Sequence, residues 1–191
     1  MVIDEAYQPF AGATFMPRLA EFENMVVMRT VSKIGMAGLR LGYVCGRPEW
    51  IEAFNKTRSP FNINVLTEAV AIKLLQNKKV LDAQAARVLE ERERVRPELA
   101  RMPGLTVYPS AANFLLVRVA GAQRSAQRSA QRSAQGALGA GTRVFESLKA
   151  QGVLVKDFSG GHPLMENCLR LTIGTPEENR ILLAAIREAL K

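Results

Sequence analysis

The chain has 191 residues, 48% hydrophobic and 23% charged, a balance that suits a folded globular protein and excludes a disordered or fibrous one. No apolar run approaches the ~20 residues that span a bilayer, and residues 1–20 lack a basic head followed by an apolar core. The formal net charge of +8 raises nucleic-acid binding, but Arg124, Arg128 and Arg132 belong to one repeat, the other basic residues are scattered, and aromatics make up only 6%.

In chain order, Val2-Ile3 reads as the end of a buried strand that runs into "DEAY". "MVVMRTVS" (Met25–Ser32) and "LRLGYVCG" (Leu39–Gly46) are further continuous apolar runs. Continuous rather than alternating patterns predict strands covered on both faces, as in α/β sheets. Helical patterns follow over Pro48–Lys56, Leu66–Gln76 and Val80–Ala100, with Pro48 suited to a first turn. After Met102-Pro103-Gly104 come the short strands "LTVYP" and "NFLLVRV", a helix from about Thr142 to Gln151, the strands "VLVKDF" and "CLRLTIG", and a last helix after Thr175. "TPEEN" supplies that helix with a Thr N-cap, Pro176 at its first position and Glu178 for a capping box. Two domains are expected: residues 1–100 as part of a layered α/β domain, mostly parallel, and residues 101–191 as a smaller α+β domain.

"AQRSAQRSAQRSAQ" (Ala122–Gln135) repeats a four-residue unit with no apolar residue larger than alanine. Such a segment buries too little surface to offset its ordering entropy, so a flexible surface expansion is expected rather than an arginine-rich RNA tail. Cys45 and Cys168 show neither metal-ligand nor redox spacing and read as two buried thiols of a reduced, cytoplasmic chain. No metal site is expected. His162 reads as a loop residue, "EERERVR" (Glu90–Arg96) as a solvated helix face, and Asn113 as structural.

Two positions carry the chemistry. Asp4 follows a buried strand directly, at the carboxyl end where open α/β sheets bind ligands, although a strand-end Asp often serves only a turn. Lys33 ends another apolar run. A carboxylate and an amine at two strand ends suit a pyridoxal-type site, which needs a partner for the ring nitrogen and a lysine as carbonyl nucleophile.

"VIDEAYQPFAG", "TVSKIGMAGLRLGY" and "NCLRLTIGTPEEN" together resemble the fold type I pyridoxal-phosphate aminotransferases, the histidinol-phosphate aminotransferase family in particular. The likeness runs in order over nearly the whole chain, with the repeat as its one intrusion. It implies that Asp4 pairs with the pyridine nitrogen, that the Tyr7 hydroxyl bonds the ring oxygen, and that Lys33 is the Schiff-base lysine. Ser32 and Arg40 would hold the cofactor phosphate; many relatives place this arginine one residue further on. Arg170 would grip the substrate's anionic end, with Lys156 where relatives often carry a second arginine. The implied activity moves an amino group between histidinol phosphate and 2-oxoglutarate, in L-histidine biosynthesis, within a cytoplasmic homodimer.

Related enzymes such as threonine-phosphate decarboxylase, and other amino-acid aminotransferases, share Asp4, Lys33, Arg40 and Arg170, so these residues leave the substrate open. In the family, roughly half the enzyme precedes the Asp4 strand and supplies the aromatic stacked on the cofactor and a helix-terminus phosphate cradle. The expectation is therefore a carboxyl-terminal portion, inactive alone, with a non-catalytic remnant or partner-dependent module as the other reading.

Overall fold

The computed structural model describes residues 1–121 and 138–191, so the Ala122–Gln135 repeat lies outside the described residues. The chain divides into two units, Met1–Arg87 and Val88–Lys191.

The first unit is built on a three-stranded sheet, β1 (Val2–Asp4), β2 (Val26–Thr30) and β3 (Gly42–Gly46), in that order. β1 and β2 are parallel, with Asp4 opposite Met28; β3 returns antiparallel, with Thr30 opposite Gly42. A parallel pair needs a long crossover. Here it contains the short helix α1 (Gln8–Ala11) and a 3-10 helix, Met16–Glu21. Phe10, Met25, Val26 and Val27 are buried around it. The apolar runs predicted cover on both faces, yet Met28 and Val44 are 39% and 38% exposed. Helices α2 (Pro48–Thr57), α3 (Val65–Leu75) and α4 (Lys78–Ala100) follow. Pro48 opens α2, and the Asn64 side chain caps α3 by accepting from the Thr67 amide at 2.8 Å.

The second unit is an antiparallel sheet of β4 (Leu105–Val107), β5 (Phe114–Val119), β6 (Lys156–Asp157) and β7 (Cys168–Thr172), in the order β4-β5-β7-β6. Burial along β5 alternates, which fits a strand with one face in a core. Leu115, Val117 and Val119 join Leu169 and Leu171 of β7 in that core. Helices α5 (Ala140–Ala150) and α6 (Pro176–Ala189) cover it with Val144, Leu148, Leu182 and Ile186. The boundary between the units falls inside α4, not at its end as the sequence suggested. Val95 and Leu99, in the helix's second half, are fully buried in the second unit's core and draw that half with them.

Three local readings change. "VLVKDF" shrinks to Lys156–Asp157 because Gly152, at φ 78°, turns the chain so that the Val153 amide still donates to Leu148 at the helix end. The Glu90–Arg96 run is not wholly solvated. Arg92 turns inward and donates to the Ala112 carbonyl at 2.9 Å, while Val95 is fully buried. Cys168 is buried, but Cys45, on the outer strand of a sheet with one open face, is only half-buried. Both thiols are free.

Candidate active site

β1 and β2 run parallel, so both chains leave the sheet at the same end. Asp4 closes β1 there; its Oδ1 accepts from the Ala6 amide at 2.9 Å, and the carboxylate is exposed. It makes no ion pair among the described residues. Tyr7 follows as the N-cap of α1, and its carbonyl accepts from the Phe10 and Ala11 amides.

From β2, the chain enters a 3-10 turn, Ser32–Ile34, that ends on Gly35 at φ 94°. Val31 and Met36 anchor the turn by burying themselves with Leu81. The Met36 amide donates back to the Val31 carbonyl. Thr30 Oγ1 accepts from the Ser32 amide at 3.1 Å and lies 2.9 Å from Ser32 Oγ. Lys33 is thus presented from a fixed turn. Its Nζ lies 5.0 Å from the centre of the Tyr7 ring, a cation–π approach, and it has no carboxylate partner among the described residues.

Arg40 lies just before β3, in left-handed backbone at φ 50°, ψ 38°. Its guanidinium donates to the Ala37 carbonyl at 3.3 Å. It rims a hollow of about 120 Å³ with Asn62, Asn64 and Thr67. Asp4 opens on a different hollow, of about 520 Å³, lined also by Thr30, Tyr43, Phe54 and Arg58. The structure brings Lys33 against Tyr7, with Ser32 beside Lys33 in the chain, while Asp4 lines the hollow of about 520 Å³ and Arg40 that of about 120 Å³.

In the second unit, Leu169 and Leu171 point into the core, so Arg170 between them faces the other side of the sheet. Its guanidinium lies 5.3 Å from the Phe114 ring centre and 6.0 Å from that of Phe158. Lys156 of β6 is its cross-strand partner. Two cations directly opposite each other repel unless an anion lies across them. Asn113 serves the backbone: its carbonyl accepts from the Ile173 amide at 3.0 Å. His162 is a loop residue whose Nδ1 accepts from the Leu164 amide at 3.1 Å. Among the described residues, no group of three or more His, Cys, Asp or Glu is placed to hold a metal.

Sequence reasoning missed Glu5, Thr14 and Arg29. Glu5 is only 8% exposed. Its Oε1 accepts from the Phe15 amide at 2.6 Å. Its Oε2 accepts from Thr14 Oγ1 at 2.8 Å and from Arg29 Nε and Nη2 at 3.0 and 2.8 Å. Burial pushes this carboxyl up, but the bonds from Phe15, Thr14 and Arg29 more than offset that and hold it below the usual carboxylate range. The available signal was a lone arginine inside the apolar run "MVVMRTVS", which had to find an anion once buried.

With this geometry in place, the family model described as aminotransferase class I and II matches residues 1–186. The chain belongs to that family. These aminotransferases depend on pyridoxal phosphate, and their α/β fold is the one found here. Histidinol-phosphate aminotransferase 1 of Burkholderia lata is 53% identical over 190 residues, covering 100% of this chain and 48% of that protein. Of solved aminotransferase structures, histidinol-phosphate aminotransferase from Sinorhizobium meliloti, in complex with pyridoxal-5'-phosphate, superposes with a TM-score of 0.79 at 26% identity. It is covered to 48%, and 99% of this chain is matched. The Clostridium acetobutylicum histidinol-phosphate aminotransferase shares the fold, with a TM-score of 0.82 at 22% identity over 99% of this chain and 53% of that one. The chain spans about half the length of the curated relatives it matches. Among the described residues, no helix of this aminotransferase chain is long and apolar enough to cross a membrane.

Proposed function

We propose that this chain carries the reactive lysine of a histidinol-phosphate aminotransferase, which moves an amino group between histidinol phosphate and 2-oxoglutarate in L-histidine biosynthesis. The observation that carries the reading is Lys33: an amine on a fixed turn, beside the Ser32 hydroxyl, resting on Tyr7 and free of any carboxylate among the described residues. The donor set fits pyridoxal phosphate. Lys33 offers the amine for covalent attachment, and Asp4 an anion for the ring nitrogen. The Tyr7 hydroxyl is the donor for the ring oxygen, and Ser32 and Arg40 are a hydroxyl and a guanidinium for the phosphate dianion. When bound, pyridoxal phosphate supplies an aldehyde that condenses with amines and a ring that takes up electron density from the substrate's α carbon.

The chain's own residues then have defined tasks. Asp4 would stabilise a proton on the ring nitrogen, because an anion placed beside it favours the cationic form. Lys33 Nζ would take a proton from the substrate's α carbon and give it up again at the cofactor, acting as general base and then acid. Arg170 and Lys156 hold the substrate's anionic end, which would relieve the repulsion between the two cations. In the working form, a cytoplasmic homodimer, the polypeptide matching the other half of the relatives' length is also required. We expect the 191-residue chain alone to be inactive, since misplacement of reacting groups by about 1 Å costs ~100-fold.

The test has two arms. Pyridoxal phosphate followed by borohydride should leave the phosphopyridoxyl mass on Lys33, and Lys33→Ala should abolish it; labelling elsewhere with Lys33 untouched refutes the assignment. Turnover of histidinol phosphate with 2-oxoglutarate is then measured with and without the polypeptide covering the remainder of the Burkholderia lata relative. Robust turnover by the single chain would refute the requirement for that polypeptide.

A further inference from the structure

The residues proposed for the site reach it from two separate segments. Asp4 and Tyr7 arrive from β1, Ser32 and Lys33 from β2. The backbone ladder between those strands ends with the Glu5 amide donating to the Met28 carbonyl at 2.8 Å. Beyond that bond the strand pairing stops, yet the Tyr7 ring and the Lys33 amine meet at 5.0 Å.

We propose that the Glu5–Arg29 ion pair, closed by Thr14, is the device that fixes Tyr7 against Lys33, which makes Glu5 and Arg29 positioning residues of the site. Glu5 lies between Asp4 and Tyr7 in the chain, and its carbonyl accepts from the Gln8 amide at 3.0 Å, setting the turn that carries Tyr7. Arg29 directly precedes Thr30, whose hydroxyl accepts from the Ser32 amide and so sets the turn that carries Lys33. The two guanidinium bonds, at 3.0 and 2.8 Å, both fall on Glu5 Oε2. Arg29 Nη2 also donates to Thr14 Oγ1 at 2.7 Å, and that hydroxyl donates to the same carboxylate oxygen. The result is a closed triangle of carboxylate, guanidinium and hydroxyl. The Phe15 amide on Oε1 fixes the remaining oxygen.

Side-chain exposures of 6% for Glu5 and 19% for Arg29 show that the pair is largely withdrawn from water. Burying two opposite charges is an inefficient way to gain stability, and apolar residues of similar volume often do as well or better. Apolar contact is non-directional, however, whereas a charge-assisted, multi-donor pair holds one geometry. A link of this kind across the last turn before the site serves placement.

The inference rests on the reading of Lys33 as the reactive amine, but its first test needs no cofactor. In the full 191-residue chain, the Tyr7 ring current should displace the NMR signal of the Lys33 ε-methylene, and Tyr7→Leu defines the undisplaced position. Glu5→Gln keeps the size and loses the charge, while Arg29→Lys keeps the charge and loses the fork. Each should move the Lys33 signal most of the way to the Tyr7→Leu value while cooperative melting is retained. A folded Glu5→Gln chain with an unmoved Lys33 signal overturns the proposal, since a merely structural pair would lower the melting temperature alone. If Glu5→Gln does not fold, Thr14→Val decides: a partial displacement supports the proposal and none overturns it. In the second readout, borohydride trapping of pyridoxal phosphate on Lys33 should fall by about tenfold in Glu5→Gln. Equal trapping in variant and parent would also overturn the proposal. A parent chain that traps nothing on Lys33 sinks the reading of Lys33 instead, and leaves the positioning role to the NMR result.

Discussion

Arg40 adopts left-handed backbone at φ 50°, a conformation that costs a side-chain-bearing residue about 1–2 kcal/mol and that glycine takes freely. What arginine offers at such a position that glycine does not is its guanidinium. Arg40→Gly is therefore expected to leave stability within about 1 kcal/mol of the parent, relief of the backbone offsetting the added chain entropy. Loss of charge-assisted bonds should weaken pyridoxal phosphate binding by about 10- to 100-fold. Melting curves and a cofactor titration read the two effects separately. A large loss of stability would show that Arg40 is structural.

Glu5 gives a pH prediction with a definite sign. Its carboxyl is held below its ordinary range in the folded chain, so its contribution is complete above the unfolded value and is lost as pH falls through the folded one. As pH falls from neutral through the carboxylate range, Glu5→Gln should flatten this part of the acid-side fall in melting temperature. An unchanged acid limb would contradict the assignment. Asp4 and Lys33 drew notice because each follows an apolar run, and Tyr7 through its spacing from Asp4 in a known pattern. Glu5 did not, since a single acid beside Asp4 reads as one more polar residue until Arg29 and Thr14, far away in sequence, are brought against it.

Among the elements, local signals read well and long-range ones poorly. The capping box of α6 forms as written: the Glu178 amide donates to Thr175 Oγ1, and the Thr175 amide donates to the Glu178 carboxylate. The start of α5 depends on a distant residue, and "GAGTRV" does not announce it. Asn167, left-handed at φ 57°, accepts from the Gly141 amide at 2.9 Å through Oδ1 and from the Val119 amide through its carbonyl. A Cβ on Gly141 would lie 2.6 Å from Asn167 Cα, a backbone clash that no rotamer relieves. Gly141→Ala should cost about 1–3 kcal/mol. Gly160→Ala, where a Cβ meets nothing within 4 Å, is the control. Equal melting temperatures for the two variants would show that α5 shifts without cost. Burial of Arg92 within a charged run was unreadable for the same reason, since its acceptor, the Ala112 carbonyl, belongs to another part of the chain.

For the whole molecule, the mismatch between apolar patterning and burial is greatest in α3. Its residues are apolar on nearly every side, a pattern that belongs to a helix enclosed by other elements. Yet Leu66 and Val65 are each 78% exposed, Phe61 just before it is 92% exposed, and only Thr67 and Ala71 are buried. Contiguous apolar patches beyond a few hundred Å² are rare on proteins that stay monomeric. The sequence made the demand for cover legible; among the described residues the cover for this helix is missing. The purified chain should accordingly bind an apolar dye and scatter light increasingly with concentration. Leu66→Glu combined with Val70→Lys should reduce both signals, because the charges break the patch. The melting temperature should hold, because at 78% and 44% exposure these side chains lose little packing. The two charges are also four positions apart on one helix face, with the acid nearer the amino end, an arrangement worth about 0.2–0.5 kcal/mol in its own right. A drop of several degrees would mean that α3 is enclosed in solution, and that what encloses it is a stable part of the folded protein.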